Sequence, residues 1–220
     1  MNIAFLTTIF PMQEKFLIDF FNSLKNQTYK EFDIVVVNDG YKNFGKIKQK
    51  FSELRIIELP FSSTLAKNRE YGINYCIEKK YDVLIFGDSD DYFVPNRVEK
   101  VLEKLEHYNV VVNDLTLFDE NGVLCEKYFS HRLKNNFVFD YEFIKNKNIC
   151  GLSNTAINLK ILRNINIPDN IIGVDWFLYK QLLKHNQAIF TNETITFYRQ
   201  YENNTVGLKN DGKFKFWWEN

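Results

Sequence analysis

The stretch Asp82–Pro95, "DVLIFGDSDDYFVP", drives four apolar residues (Val83, Leu84, Ile85, Phe86) straight into Asp88, Asp90 and Asp91. A short apolar run bounded by turn signals reads as a strand buried on both faces, which belongs in a sheet covered on two sides. Carboxylates this close repel one another and resist burial, so their clustering at the strand end calls for a cation. Asp88 and Asp90 flank one residue, and in an extended loop their side chains point the same way. Such a pair can hold Mg2+ or Mn2+ with one or two oxygens, leaving the remaining positions to water and to a ligand's oxygens. The plainer alternative is a capped turn ahead of a helix that begins near Pro95.

The chain on either side keeps the same rhythm. Ile3–Thr7 is a strand, and Phe16, Leu17, Phe20, Phe21 and Leu24 after Pro11 share one helical face. "FDIVVVNDG" is a fully apolar strand ending in turn residues, residues 43–53 are helical, and "LRIIELP" is a short strand stopped by Pro60. "SSTLAKNREYGINYCIEKK" opens on Ser/Thr cap candidates and carries Leu65, Ile73, Cys76 and Ile77 on one face. Val98, Val101, Leu102 and Leu105 mark the helix after the acidic run. Apolar strands alternating with helices predict an α/β fold, a mostly parallel sheet with helices on both faces. Ligands of such sheets gather beyond the carboxyl ends of the strands, where Asp39 and the acidic cluster both fall.

The second half is less regular. "DLTLFDENGVLCEKY" reads as a hairpin turning at Asn121-Gly122, "DYEFIKNK" as a short helix and "NTAIN" as a strand. "VDWFLYKQLLKH" reads as an amphipathic helix, and "QAIF" and "TITFYRQY" finish the ordered part. The last residues, 208–220, "LKNDGKFKFWWEN", alternate Lys with aromatics and read as a poorly ordered tail or as a segment docking onto a partner or a membrane surface.

Composition narrows the function classes. The 28 basic and 28 acidic side chains cancel, so there is no global positive field to collect nucleic acid. Cys76, Cys125 and Cys150 are odd in number and far apart, which argues for reduced thiols in a cytoplasmic setting without a disulfide frame or zinc site. His107, His131 and His185 are equally scattered and read as surface residues. With 21 Phe and 12 Tyr the core should be rich in Phe. "MNIAFLTTIF" lacks a basic leader and reads as a first strand, not a signal peptide. No apolar run approaches the roughly 20 residues that span a bilayer, so a soluble or peripheral protein is expected, cytoplasmic or seated at the membrane's inner face.

At this point the chain resembles family 2 glycosyltransferases, which have the nucleotide-sugar-binding fold called GT-A. "TTIFP", "VVVNDG", "LAKNREYGI", "GDSDD" and "VDW" occur in the family's order. "YRQYENNTVG" is similar to a segment near the end of bacterial surface-polysaccharide transferases, particularly rhamnosyltransferase-like ones. The resemblance covers residues 1–207 as one domain, with a nucleotide-binding half at 1–115 and an acceptor half at 116–207. It implies that Thr8 and Phe10 line the nucleotide pocket, that Asp39 accepts a hydrogen bond from the base, usually uracil, and that Lys67 or Asn68 lies beside the nucleotide. Asp88 would face the ribose or the metal, and Asp90 would ligate Mn2+ or Mg2+ and the diphosphate. Asp175 would take the proton of an acceptor hydroxyl on a glycan or a lipid-linked sugar, giving transfer with inversion.

Chemistry supports these roles beside the resemblance. Breaking a sugar–diphosphate bond builds negative charge on the leaving oxygens, which a cation and preset dipoles stabilise. In-line attack needs a carboxylate on the opposite side of the anomeric carbon. Asp175 opens a helix beside Gly173 and Trp176, where the helix dipole alone also favours an acid. The chain departs from the family pattern in three places. It has Lys67-Asn68-Arg69 with Gly72 later, Val174 where a Glu often precedes the catalytic Asp, and Tyr201 where a His can approach the metal. Arg199 then becomes the local cation for diphosphate, or else one half of an ion pair at the core's edge. Three rival readings stand beside this one: a phosphatase of the haloacid dehalogenase type, a sugar-nucleotide-forming nucleotidyltransferase, and a catalytically degenerate nucleotide-sugar-binding subunit.

Overall fold

The computed structural model describes residues 1–201; the tail at 208–220 and the end of the "YRQYENNTVG" segment lie outside the described residues. The first half is the expected alternation. β1 (Ile3–Ile9), α1 (Glu14–Lys25), β2 (Asp33–Asn38), α2 (Phe44–Lys50), β3 (Ile56–Pro60), α3 (Leu65–Glu78) and β4 (Val83–Phe86) follow in order. β3, β2, β1 and β4 lie side by side and parallel. All seven residues of β1 and all four of β4 are buried, as strands sandwiched between two helix layers must be.

After the acidic loop come β5 (Tyr92–Phe93), α4 (Arg97–Leu105), β6 (Val110–Asp119), β7 (Gly122–Cys125), β8 (Val138–Phe139), α5 (Tyr141–Ile144), β9 (Thr155–Asn158), α6 (Val174–Leu182) and β10 (Ala188–Arg199). The sheet continues from β4 through β9, β6 and β10 to β5. β9 runs antiparallel to both β4 and β6, so the parallel order is interrupted once in the middle. β6 and β7 form the expected hairpin, with Gly122 at φ +132° in the turn. "QAIF" and "TITFYRQY" prove to be one strand, β10, whose register on β6 shifts between Thr191 and Ile195.

Two cores flank the sheet. Phe5, Phe20, Phe21, Phe44, Phe51 and Phe93 pack under α1, α2 and α4, which places much of the abundant Phe inside. The opposite core joins α3 and α6 through aliphatic side chains, with Tyr179 wholly buried. Thr64 caps α3 by accepting from the Lys67 amide at 3.3 Å, as the Ser/Thr run predicts. A Cβ on Gly72 would stand 2.7 Å from Leu6 Cδ1 and 2.9 Å from Val37 Cγ2, so glycine lets α3 press against β1 and β2. Among the described residues no helix is long and apolar enough to cross a membrane.

Candidate active site

The carboxyl ends of β1 and β4 open into one cleft of about 360 Å³ whose lining includes Thr8, Phe10, Arg69, Asp88, Asp90 and Asp175, while Asp39 beyond β2 lies outside that lining. The acidic loop is seated by close approach. Gly87 donates to Leu6 O at 3.1 Å, and a Cβ there would sit 2.5 Å from Phe5 Cε1 and 2.6 Å from Phe93 Cζ. Ser89 Oγ donates to Thr8 O at 2.8 Å, tying the loop to the end of β1.

The three aspartates have different fates. Asp91 is wholly buried and accepts from Ser153 Oγ and, at 2.8 Å, from the Arg199 amide, so it staples the loop to β10 and to the segment before β9. Burial pushes its carboxyl well above the usual range. Asp88 and Asp90 face the cleft. Asp88 Oδ1 is 2.5 Å from Arg69 Nη2, and Asp90 Oδ2 accepts from the Tyr201 hydroxyl at 2.8 Å. Burial first, then the Asp88 charge, raise the Asp90 pKa. Asp91 is thus consumed by structural bonds to distant segments, while Asp88 and Asp90 line the cleft, paired with Arg69 and Tyr201.

That pair fits a divalent cation. Two hard carboxylates crowd together with their mutual repulsion only partly offset, and a cation between them would relieve it. Among the described residues no third His, Cys, Asp or Glu completes a protein cage. This sparse set suits Mg2+ or Mn2+, which keep positions for water and phosphate oxygens.

Asp175 stands across the cleft in the first turn of α6. Its Oδ1 accepts from the Trp176 amide at 2.7 Å. Close packing raises its pKa to about 6, and Asp88 adds to the rise, while bonds from Trp176 and Asn148 oppose it. A carboxylate of that pKa is ionised at neutral pH and still basic enough to accept a proton.

At the β2 end, Asp39 is held by Ser62 Oγ and by Asn68 Nδ2, the latter at 2.7 Å. Asn68 is 1% exposed and holds Asp39 from beneath. Lys67 turns away to Glu70 at 2.8 Å and Asn166 at 3.2 Å. The cleft receives Arg69, which is not among the site residues that the family resemblance implies. Its one clue was the Lys-Asn-Arg order, because a residue three places before Gly72 shares the face that α3 lays on the sheet.

Arg199 lies elsewhere too. Its Nε donates to Asp90 O at 2.7 Å, its Nη2 to Asp19 at 2.8 Å, and its guanidinium sits 4.3 Å from the Phe16 ring and 4.6 Å from that of Phe118. It braces the back of the acidic loop against α1, the core-edge ion pair of the two alternatives. The phosphatase pattern, which sets its Asp-x-Asp on the first strand, does not match a pair that follows β4.

Residues 8–165 match the family model described as glycosyl transferase family 2. The chain belongs to glycosyl transferase family 2, and its fold is that of the GT-A glycosyltransferases. Among curated relatives, it is 26% identical over 213 residues to the glycosyltransferase GlyA of Streptococcus pneumoniae, covering 88% of this chain and 30% of that protein. It is 27% identical over 148 residues to the dTDP-rhamnosyl transferase RfbG of Shigella flexneri, covering 63% of this chain and 50% of that protein. The chain thus spans half or less of the length of these relatives. Among solved structures, Staphylococcus aureus TarS 1–349 in complex with UDP superposes with a TM-score of 0.72 at 17% identity, over 90% of this chain and 60% of that one. GalNAc-T7 with UDP, GalNAc and Mn2+ superposes with a TM-score of 0.67 at 13% identity, over 92% of this chain and 44% of that one.

Proposed function

We propose that this chain transfers a sugar from a nucleoside-diphosphate donor, with UDP-sugars favoured, to a hydroxyl of a glycan or lipid-linked acceptor, with inversion. One observation carries the reading: Asp175, more than 80 residues further along the chain than Asp88 and Asp90, lines the same cleft as that pair. In this reading Asp39 accepts from the base, with Thr8 and Phe10 beside the nucleotide. Arg69 leaves Asp88 to meet the diphosphate. Asp88 and Asp90 would hold Mn2+ or Mg2+, which when bound would offset the charge of the departing diphosphate.

Asp175 positions the acceptor hydroxyl and takes its proton as the oxygen attacks the anomeric carbon. The new carbon–oxygen bond forms as the bond to the diphosphate breaks, and that electron pair leaves on the nucleoside diphosphate. A single base on the attacking side needs no covalent intermediate, which is why the configuration inverts.

The test is a thermal-shift screen of nucleotide sugars with and without Mn2+, followed by a transfer assay with the donor that binds. Ligand binding to the folded state raises the melting midpoint by mass action. A sugar nucleotide that raises it in a Mn2+-dependent manner and is then turned over supports the reading. Binding without turnover on any acceptor would instead indicate a catalytically degenerate nucleotide-sugar-binding subunit.

A further inference from the structure

Behind the acidic loop lies a cation that the proposed chemistry does not use. Arg97, the first residue of α4, is wholly buried. Its Nη2 donates to Phe86 O at 2.6 Å and its Nε to Asn113 Oδ1 at 3.0 Å, while Nη1 is buried without a partner. The guanidinium stacks 4.3 Å from the centre of the Phe93 ring. Its contacts are thus a carbonyl, an amide and aromatic faces, none of them a carboxylate. A charge so placed costs stability that an apolar side chain would not. Burial lowers its pKa to about 9, which still leaves it cationic at neutral pH, and the nearby charges of Asp91 and Asp88 act to keep it so.

What Arg97 touches leads to the cleft. Phe86 is the last residue of β4, and Gly87 and Asp88 follow it directly. Asn113 Nδ2 donates to Thr196 Oγ1 at 3.0 Å, and Thr196 Oγ1 donates to Ser153 O at 2.9 Å. Ser153 Oγ in turn donates to Asp91 and accepts from the Asp88 amide at 3.4 Å. Asn113, Thr196, Ser153 and Asp91 are each at most 2% exposed. One buried polar chain therefore runs from Arg97 through β6 and β10 to both ends of the loop that carries Asp90. From Asn113 to Asp91 each link is hydrogen-bonded, and buried polar groups so connected restrict one another's geometry.

We propose that Arg97 is the positioning residue of the acidic loop: it fixes the Phe86 carbonyl and, through Asn113, Thr196 and Ser153, the spacing of Asp88 and Asp90, and it lays a positive charge behind them. The inference rests on the proposed function only in taking that pair as the seat of a cation and a diphosphate.

The experiment titrates the full chain calorimetrically with UDP and with dTDP, each with and without Mn2+, and records thermal unfolding of the free protein. Wild type is compared with Arg97→Met, Arg97→Lys and Thr196→Val. Arg97→Met should bind the better nucleotide about tenfold or more weakly in Mn2+ and about equally without it, with a melting midpoint within a few degrees of wild type. Arg97→Lys should recover part of the Mn2+-dependent affinity, and Thr196→Val should lose part. Wild-type Mn2+-dependent affinity in Arg97→Met overturns the inference, as does an equal loss with and without Mn2+. Should Arg97→Met fail to fold, Arg97→Lys and Thr196→Val decide alone, and wild-type affinity in both overturns it. A wild type that binds neither nucleotide overturns the UDP-type donor of the proposed function and this inference together, whereas tight wild-type binding with unaffected variants overturns this inference only.

Discussion

Arg69 Nη2 lies 2.5 Å from Asp88 Oδ1, a contact between the helix after β3 and the loop after β4, at the edge of the cleft. The side chains are 13% and 27% exposed, so the pair is weakly hydrated and its geometry is held from both sides. A donor's diphosphate would compete with Asp88 for this guanidinium. Replacing Arg69 by Met should weaken donor binding by about tenfold or more, the equivalent of one charge-assisted contact. Donor KM and a direct binding titration check this; unchanged values would remove Arg69 from the donor site.

Asp88 and Asp90 are expected to act as a unit. Asp90→Ala and Asp88→Ala should each lower turnover by about 10²-fold or more while the circular dichroism spectrum stays that of wild type. A chelator should abolish transfer by wild type, with Mn2+ or Mg2+ restoring it. Full activity in the chelator would exclude the cation from the reaction.

Asp175 links activity to stability. As the proposed general base it must be ionised, so kcat/KM should rise with pH through an inflection near 6, the value to which burial lifts its carboxyl. Asp175→Asn should cut turnover by about 10²- to 10⁴-fold and remove that inflection. Its folded pKa lies above the unfolded value. The stability it contributes is therefore complete below the unfolded pKa and is lost as pH rises through about 6. The Asn variant escapes that loss, so it should be about 1–2 kcal/mol more stable than wild type at pH 7.5, after allowance for its partial exposure. The difference should vanish near pH 3, where both side chains are neutral. Urea unfolding at the two pH values tests the sign.

Gly87 has no room for a side chain. A Cβ would meet the Phe5 and Phe93 rings at 2.5 and 2.6 Å, both inside the aromatic core. Gly87→Ala should therefore destabilise the protein by about 1–3 kcal/mol and displace Asp88. Turnover should fall even at temperatures where the variant remains folded. A melting midpoint equal to that of wild type would show that the rings yield.

Much of this was legible in residue order. Val83–Phe86 is apolar on both faces, so it had to lie inside a covered sheet, and the alternation before it implied parallel neighbours. Asp88 and Asp90 were legible as acids at a strand's end, but their same-side alternation assumed an extended loop, whereas the segment turns and the Asp91 amide donates to Asp88 O at 3.1 Å. Asp175 was legible from periodicity as the opening acid of a helix, and only the family resemblance pointed that helix at an acceptor.

Folding decided what depends on partners far along the chain. Asp91 resembles its neighbours in sequence, yet it alone is consumed by Ser153, 62 residues away, and by the Arg199 amide, 108 residues away. Arg69 and Arg199 carry the same charge, and only the packing of α3 through Gly72 and of β10 against Phe16 and Phe118 sends one into the cleft and the other behind it. The antiparallel insertion of β9 between β4 and β6 is equally invisible in "NTAIN", because a strand's own pattern records its faces and not the direction of its neighbours. Periodicity and turn chemistry are properties of adjacent residues, whereas the pairing of a buried carboxylate or guanidinium is settled by whichever distant groups the closed fold brings within hydrogen-bonding reach.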